Sequence, residues 1–508
     1  MSTANICIII SIIVYLLGVL FVGFIFSKNN SNTEEFYLGG RKMGPIVTAM
    51  SAEASDMSSW LLMGLPGVAY LTGICDAAWT AIGLALGTWL NWFLVSRRLR
   101  RYSHQLKAIT VPDFLAKRFH DKKNIISAVA ALVIIVFFVP YTASGFAACG
   151  KLFHSLFGVD YTVAMVVSAL VIVAYTIMGG FSAVCTTDLI QSIIMSIALI
   201  TVVVFGINAA GGWDVVVENA RSLSGYLSLN ATYDAVANTS KPYGPITIIS
   251  TMAWGLGYFG VPHILVRFMA IEDEKKLVLS RRIASVWVVI AMSVGILIGV
   301  VGLAMSHTGA IANLEDSETV IMAITGALSK YGVFAALVAG VILAGILAST
   351  MSTSDSQLLT AASGASKDIL QDFLHIKMSE KTGLLTARLT IVGIAIVSVF
   401  LARDPNSSVF NIVSFAWAGF GGAFGAVILC SLFWKRTNLA GALSGMIAGG
   451  VSIFVWKFLV RPLGGVLDIY ELLPAFLISM LVIIVVSLLT KEPEKEIIHE
   501  FEAVMSKE

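Results

Sequence analysis

The sequence predicts an all-α polytopic membrane protein. Three observations carry that prediction. Of 508 residues, 57% are hydrophobic and only 13% charged, whereas a soluble domain carries about 25% charged residues. The apolar residues fall in runs near the length a helix needs to cross a bilayer. The runs are continuous rather than alternating, which excludes barrel strands and leaves helices as the spanning option. The net charge of +2 says little by itself; where the charges lie says more.

Apolar segments fall at 5–27, 44–72, 76–96, 124–150, 159–178, 188–210, 244–269, 283–306, 331–363, 385–402, 408–434, 440–460 and 469–490, which gives thirteen transmembrane helices. They are numbered 1 to 13 in that order. Segment 1 has no basic leader region and no small-residue cleavage site, so it reads as a retained first span. With the N-terminus outside and the C-terminus inside, 25 Lys and Arg fall on the inner side and 6 on the outer side. Splitting segment 9 would put the Lys and Arg that follow it outside, against the positive-inside rule. The loop Arg97–Arg101 is the strongest inner anchor, read as a topological stop signal and not as a nucleic-acid patch. Residues 311–330 read as an external amphipathic stretch, and 211–243 as the longest outer loop, with formal sequons at Asn230 and Asn238. Residues 491–508 are expected to form an inner tail with no further domain. The whole of 1–490 is expected to form one transmembrane domain: a leading helix and inner loop (1–43), a first repeat (44–210), a second repeat (244–436) and two trailing helices (437–490).

Segment 2 holds the stretch around which the rest is organised: Ser51, Glu53, Ser55, Asp56, Ser58, Ser59 and Trp60. A carboxylate mid-membrane costs about 2.5 to 3.5 kcal/mol on insertion scales, so such a group faces a cavity or the protein interior by default. Segment 7 carries a second interruption, where Gly255, Gly257, Gly260 and Pro262 fall mid-span; Pro262 removes a donor and clashes with the preceding turn. Segment 2 runs inward to outward and segment 7 the reverse, each opening a group of five spans. Paired broken helices in two inverted halves point to a transporter binding site.

Segment 9 offers Ser349, Ser352 and Thr353, spaced to share one helix face. Hard cations take oxygen ligands, so these hydroxyls beside a carbonyl suit sodium if the helix loosens locally. Ser and Thr in membrane helices also bond their own i−4 carbonyls or pack helices. Trp60, Tyr141, Trp254 and Tyr258 cluster at mid-span depth, where a ligand cavity competes with plain packing. Gly145 to Lys151 follows the phosphate-loop spacing, but Leu152 replaces the hydroxyl residue and no strand precedes it, so no ATP-driven pump is indicated. Cys7, Cys75, Cys149, Cys185 and Cys430 lie in apolar surroundings with no metal spacing and read as buried hydrophobes.

The runs SAEASDMSSWLLMGLPG, WGLGYFGVPHILVRFMA, GGFSAVCTTDLIQS and FAWAGFGGAFGAVILCSLFWKR, with YLGGRKMGP before segment 2, resemble the sodium/proline symporters of the sodium:solute symporter family over about residues 10–490. That resemblance implies a LeuT-like core of 5+5 inverted repeats. It implies a sodium site built from the carbonyls of Ala54, Met57 and Ser349 and the hydroxyls of Ser352 and Thr353, with Asp56 needed for sodium binding. It implies a proline pocket of Ser58, Ser59, Trp60, Tyr141, Trp254 and Tyr258, with Pro262 shaping the break. Arg41 and Asp188 match polar family positions expected to serve gating or ion release. Ser59 stands where the family has glycine, Thr142 where cysteine is familiar, and Glu53 where a neutral residue is usual. Glu53 is expected either to stay neutral or to pair with Arg267, the lone in-span arginine, against the alternative of a second coupling site.

The function these features imply is sodium-coupled import of L-proline across the cell membrane by alternating access. The alternative is a sodium- or proton-coupled symporter of another small carboxylate or amino acid. A sensor or an enzyme is disfavoured, since no output domain and no catalytic pair is evident. The partners implied are proline, sodium and the lipid bilayer, with no nucleic acid and no obligate protein partner.

Overall fold

The structure, a computed structural model, describes residues 2–27 and 32–506; Lys28 and Lys507, counted among the inner charges, lie outside them. Its architecture is helical, with a small antiparallel hairpin of Ala231–Asp234 and Thr239–Pro242 in which Ala231 faces Pro242. Among the described residues ten helices are long and apolar enough to cross a membrane. The pair Pro245–Phe259 and Pro262–Ala270, bent by 44°, makes an eleventh candidate. No single helix spans segment 2, because it is cut in the middle.

The helix Pro45–Asp56 stops at Met57, whose backbone leaves helical geometry at φ −77, ψ 64 while its N–H still reaches the Glu53 carbonyl at 2.8 Å. Ser58 N–H turns back to the Asp56 carbonyl at 2.8 Å, and the Ser58 hydroxyl accepts the Trp60 N–H at 3.1 Å. A serine competing for backbone donors in this way favours a turn over a helix. The chain then resumes as a π turn, Trp60–Gly64, and the helix Leu65–Thr72. Segment 7 breaks differently. The helix Pro245–Met252 tightens into a 3₁₀ stretch, Ala253–Phe259, and a new helix starts at Pro262, where a missing N–H does least harm.

Segment 3 can lie against that 3₁₀ stretch only because of two glycines. A Cβ on Gly83 would stand 2.4 Å from the Met252 carbonyl oxygen, and one on Gly87 would stand 2.3 Å from that of Gly255. Segment 4, Ile125–Phe157, carries Pro140 inside it, immediately before Tyr141. Segment 9 is the unbroken helix Val333–Ser363, flanked by the first helix Thr3–Ser27 and by Tyr161–Ala209.

One expectation about loops needs correction, and one gap between segments is filled. Residues 179–187, between segments 5 and 6, are helical: Tyr161–Ala209 runs through 49 residues and changes direction at Gly180, whose φ of 58 and ψ of −161 only glycine adopts readily. The Arg97–Arg101 run is not a loop. It lies in the helix Ser96–Gln105, consistent with the high helix propensity of arginine and its ability to extend its charge away from apolar surface. Residues 317–328 are helical, Ser317–Thr319 and Val320–Leu328. The last element, Lys495–Met505, buries Ile497, Phe501 and Val504, with Phe501 under the Arg118 guanidinium at 5.1 Å and Glu500 3.0 Å from His120. All five cysteines are free and buried.

Candidate cation and substrate site

The end of Pro45–Asp56 meets the middle of segment 9. The Ser352 hydroxyl donates to the Ala54 carbonyl at 2.8 Å and lies 3.1 Å from the Ser349 carbonyl. The Thr353 hydroxyl donates to that same Ser349 carbonyl at 3.1 Å. Four of the five oxygens implied by the resemblance are thus in one cluster: two carbonyls and two hydroxyls from two helices. Each hydroxyl oxygen keeps lone pairs for a cation. The fifth, on Met57, belongs to the buried residue at the break itself. The expected loosening of segment 9 is absent, since the helix is continuous through Ser349–Thr353. Its i−3 and i−4 hydroxyl bonds, the ordinary behaviour of Ser and Thr in membrane helices, coexist with the contact to Ala54.

The Asp56 carboxylate sits on the same last turn and accepts a hydrogen bond from the Tyr258 hydroxyl. It lines a small cavity with Met57, Trp60, Leu84, Tyr141, Trp254, Val413 and Trp417. Trp60 and Trp254 pack with ring centroids 5.6 Å apart. Phe410 covers both, at 6.2 and 5.6 Å. Tyr470 stacks on Trp254 from behind at 5.2 Å, and Trp417 donates its indole N–H to the Trp254 carbonyl at 2.8 Å. Tyr258 stands edge-on to Trp417 at 5.0 Å.

The predicted pocket residues therefore divide. Trp60, Tyr141 and Trp254 line the cavity, and Tyr258 holds its carboxylate. Ser58 supports the turn. Ser59 is buried, and its hydroxyl has no partner among the described residues. Pro262 starts a helix and does not line the cavity. Sequence reasoning missed Leu84, Phe410, Val413, Trp417 and Tyr470. Trp417 was within reach, since it lies inside the FAWAGFGGAFG run; nothing local marked Tyr470.

Beside the oxygen cluster lies a buried polar network. Arg267 donates to Asp188 (2.9 Å), Ser51 (2.7 Å), Ser356 (2.6 Å) and the His263 carbonyl (2.6 Å), and Ser51 donates to Asp188 at 2.6 Å. Asp355, on the next residue of segment 9, accepts from Tyr175 at 2.7 Å. Of the alternatives expected for Glu53, this overturns the pairing with Arg267. Residues 51 and 53 project from nearly opposite sides of one helix; Ser51 takes the arginine side, and Glu53 faces segment 3. There Glu53 accepts from Thr88 (3.1 Å) and Trp92 (3.0 Å). Arg41 is elsewhere. At φ 56 it spans the loop before segment 2 and bonds the carbonyls of Met269 (2.8 Å), Ser103 (3.3 Å) and Ala108, tying segments 2, 3 and 7 together at their basic end.

At the opposite end, Lys151 finds a structural role. It lies 3.0 Å from both Asp316 and Glu318. Glu318 also accepts from the Ser408 hydroxyl and from the N–H groups of Val409 and Phe410, at 3.0, 3.2 and 3.1 Å. It therefore caps the helix that carries Phe410 over the cavity.

Broken helices, a cluster of oxygens and an aromatic cavity define a helical polytopic membrane transporter. Residues 36–449 match the sodium:solute symporter family, and the chain belongs to that family. It is 40% identical over 489 residues to the osmoregulated proline transporter OpuE of Bacillus subtilis, covering 96% of each chain. It is 40% identical over 491 residues to sodium/proline symporters of Staphylococcus aureus (95% of this chain, 93% of the relative) and Salmonella typhimurium (96% and 93%). Among solved structures, a substrate-bound, outward-open Na+-coupled sialic acid symporter aligns with a TM-score of 0.80 at 18% identity, over 96% of this chain and 99% of that one. A nucleobase-cation-symport-1 family transporter in a closed conformation aligns with a TM-score of 0.58 at 14% identity, over 92% and 98%. These two likenesses concern the fold.

Proposed function

We propose that this protein imports L-proline together with sodium by alternating access. One observation carries the reading: a single helix end presents the Ala54 carbonyl to the segment 9 hydroxyls and the Asp56 carboxylate to the aromatic cavity. Sodium held by Ala54, Met57, Ser349, Ser352 and Thr353 orders that last turn, and with it the pocket floor. The two ligands then bind with reciprocal positive coupling. The proline carboxylate meets backbone N–H groups where the chain restarts near Ser59 and Trp60. Its ammonium lies near the rings of Trp60, Tyr141 and Trp254, with Asp56 below. One charge crossing 100 mV supplies about 2.3 kcal/mol, and a tenfold sodium gradient adds about 1.4 kcal/mol; together they support accumulation of roughly a few hundredfold. The Arg267–Asp188–Ser51–Ser356 network and the Arg41 contacts close the inner side, and both are gating elements in this reading.

Thirteen crossings, with the N-terminus outside and the C-terminus inside, accompany this proposal. A helix of 49 residues redirected at Gly180 supports two crossings there. The interrupted stretch from Pro45 to Thr72 supports one more. The repeats are then 44–210 and 244–436, with 437–490 trailing. The membrane is the plasma membrane.

Labelled proline uptake into proteoliposomes, with and without an imposed sodium gradient, tests the reading. Gradient-driven accumulation is expected; uptake indifferent to sodium defeats it. The unpartnered Ser59 hydroxyl favours one variant, a substrate with an extra polar group. Competition by other small amino acids against labelled proline decides between them.

A further inference from the structure

Glu53 is not used by the mechanism above, and its surroundings are unusual. It is 1% exposed. One carboxylate oxygen accepts the Thr88 and Trp92 donors, and the other has no partner among the described residues. Asn91 is fully buried, and neither atom of its amide has a partner among the described residues. It stands three residues beyond Thr88 and next to Trp92, on the face of segment 3 that holds Glu53. At Asn91 the helix widens into a π turn, Asn91–Val95, a distortion that frees main-chain oxygens and recurs at functional sites. None of the ion pairs among the described residues reaches Glu53; Arg267, on the other side of the segment 2 helix, is committed to Asp188.

A buried carboxylate in a membrane interior calls for a cation or a full set of donors. The oxygens on this side are the free oxygen of Glu53, the lone pairs of the Thr88 hydroxyl and, one turn along the same face of segment 3, the Asn91 carbonyl oxygen. Hard cations take ligands of this kind. Resting on the symport reading, we infer that Glu53, Thr88 and Asn91 form a second monovalent-cation site, between segments 2 and 3. It lies on the far side of the segment 2 helix from the hydroxyls of segment 9. An ion there fastens the first half of segment 2 to segment 3, as the other ion fastens it to segment 9. Two charges per cycle also double the electrical driving force.

The test is equilibrium binding of radioactive sodium to the purified full chain, paired with sodium-to-proline flux ratios in proteoliposomes. Glu53→Gln keeps the size of the side chain, and its amide oxygen still accepts from Thr88 and Trp92. Asn91→Leu removes the second ligand independently. Wild-type chain is expected to bind two sodium ions, each of these variants one, and the flux ratio to fall from two to one in Glu53→Gln. Ser352→Ala is expected to weaken the other ion and leave this one. A single ion in wild type that persists in Glu53→Gln overturns the inference, because the free oxygens then serve a buried water, while leaving the symport reading intact. No sodium bound to wild type overturns both.

Discussion

Tyr258→Phe is the sharpest probe of the proposed coupling. The substitution removes one atom and keeps the ring, which stays edge-on to Trp417 at 5.0 Å. It deletes the hydrogen bond that the Asp56 carboxylate accepts from the Tyr258 hydroxyl in this buried site. A hydrogen bond to a charged group contributes about 1.5–3 kcal/mol, and each 1.4 kcal/mol is tenfold, so the affected affinity should fall roughly 10- to 150-fold. If Asp56 orders the cation site, the loss appears in the sodium concentration for half-maximal uptake, measured at saturating proline. Because binding coupling is reciprocal, the proline KM at subsaturating sodium should rise in the same direction. Asp56→Asn is the companion variant, expected to abolish sodium stimulation. A sodium requirement changed less than threefold in Tyr258→Phe, with normal expression, refutes the role given to this pair.

Three further outcomes follow from the packing. Arg267→Met leaves the Asp188 carboxylate buried without its cation and should cost about 3–5 kcal/mol; the double variant Arg267→Met/Asp188→Leu should recover most of that loss in thermal unfolding of the detergent-solubilised protein. Gly87→Ala places a Cβ 2.3 Å from the Gly255 carbonyl oxygen and should abolish uptake, whereas Gly393→Ala, with no heavy atom within 4 Å of the new Cβ, should be neutral in the same assay. Glu318→Ala strips the cap from the helix bearing Phe410; on the about 0.5–2 kcal/mol scale of lost caps, the proline KM should rise about 2- to 30-fold with little change in sodium dependence.

What the sequence revealed about this molecule, it revealed through local chemistry. Acids, serines, glycines and a proline inside apolar runs mark the breaks in segments 2 and 7 because those residues bond or distort backbone wherever they stand. The i, i+3, i+4 spacing of Ser349, Ser352 and Thr353 marks one helix face for the same reason. The misses share a different cause. Pairing with Arg267, one of the two expectations for Glu53, rests on their place in the same half of the membrane, but partner choice depends on helix rotation, and residue 51 holds the arginine side. The redirection at Gly180 left no polar loop to be read, since one positive φ turns the chain without one. Tyr470 reaches Trp254 from the stretch just before the helix Leu472–Leu489, more than two hundred residues away, so no pattern near either residue records the contact.

The two breaks are unequal in a way that bears on mechanism. Segment 2 supplies the charge, through Asp56, and the carbonyl of Ala54; segment 7 supplies rings and the Tyr258 hydroxyl but no carboxylate of its own. An ion can therefore act directly only on segment 2. Segment 7 must follow through the Tyr258–Asp56 bond and the Trp60–Trp254 contact, and Arg267 anchors its far end to Asp188 and Ser356. In the proposed cycle, opening toward the basic end parts segment 2 from segment 9, which would break the Ser352–Ala54 contact and the Ser51–Arg267 contact together. Loss of the ion and loosening of the inner network are then one event. A mutation that weakens the network, such as Ser356→Ala, should speed sodium release and raise the sodium requirement without touching the pocket. Were it to change proline selectivity while leaving the sodium requirement alone, the two layers could not be linked through segment 2.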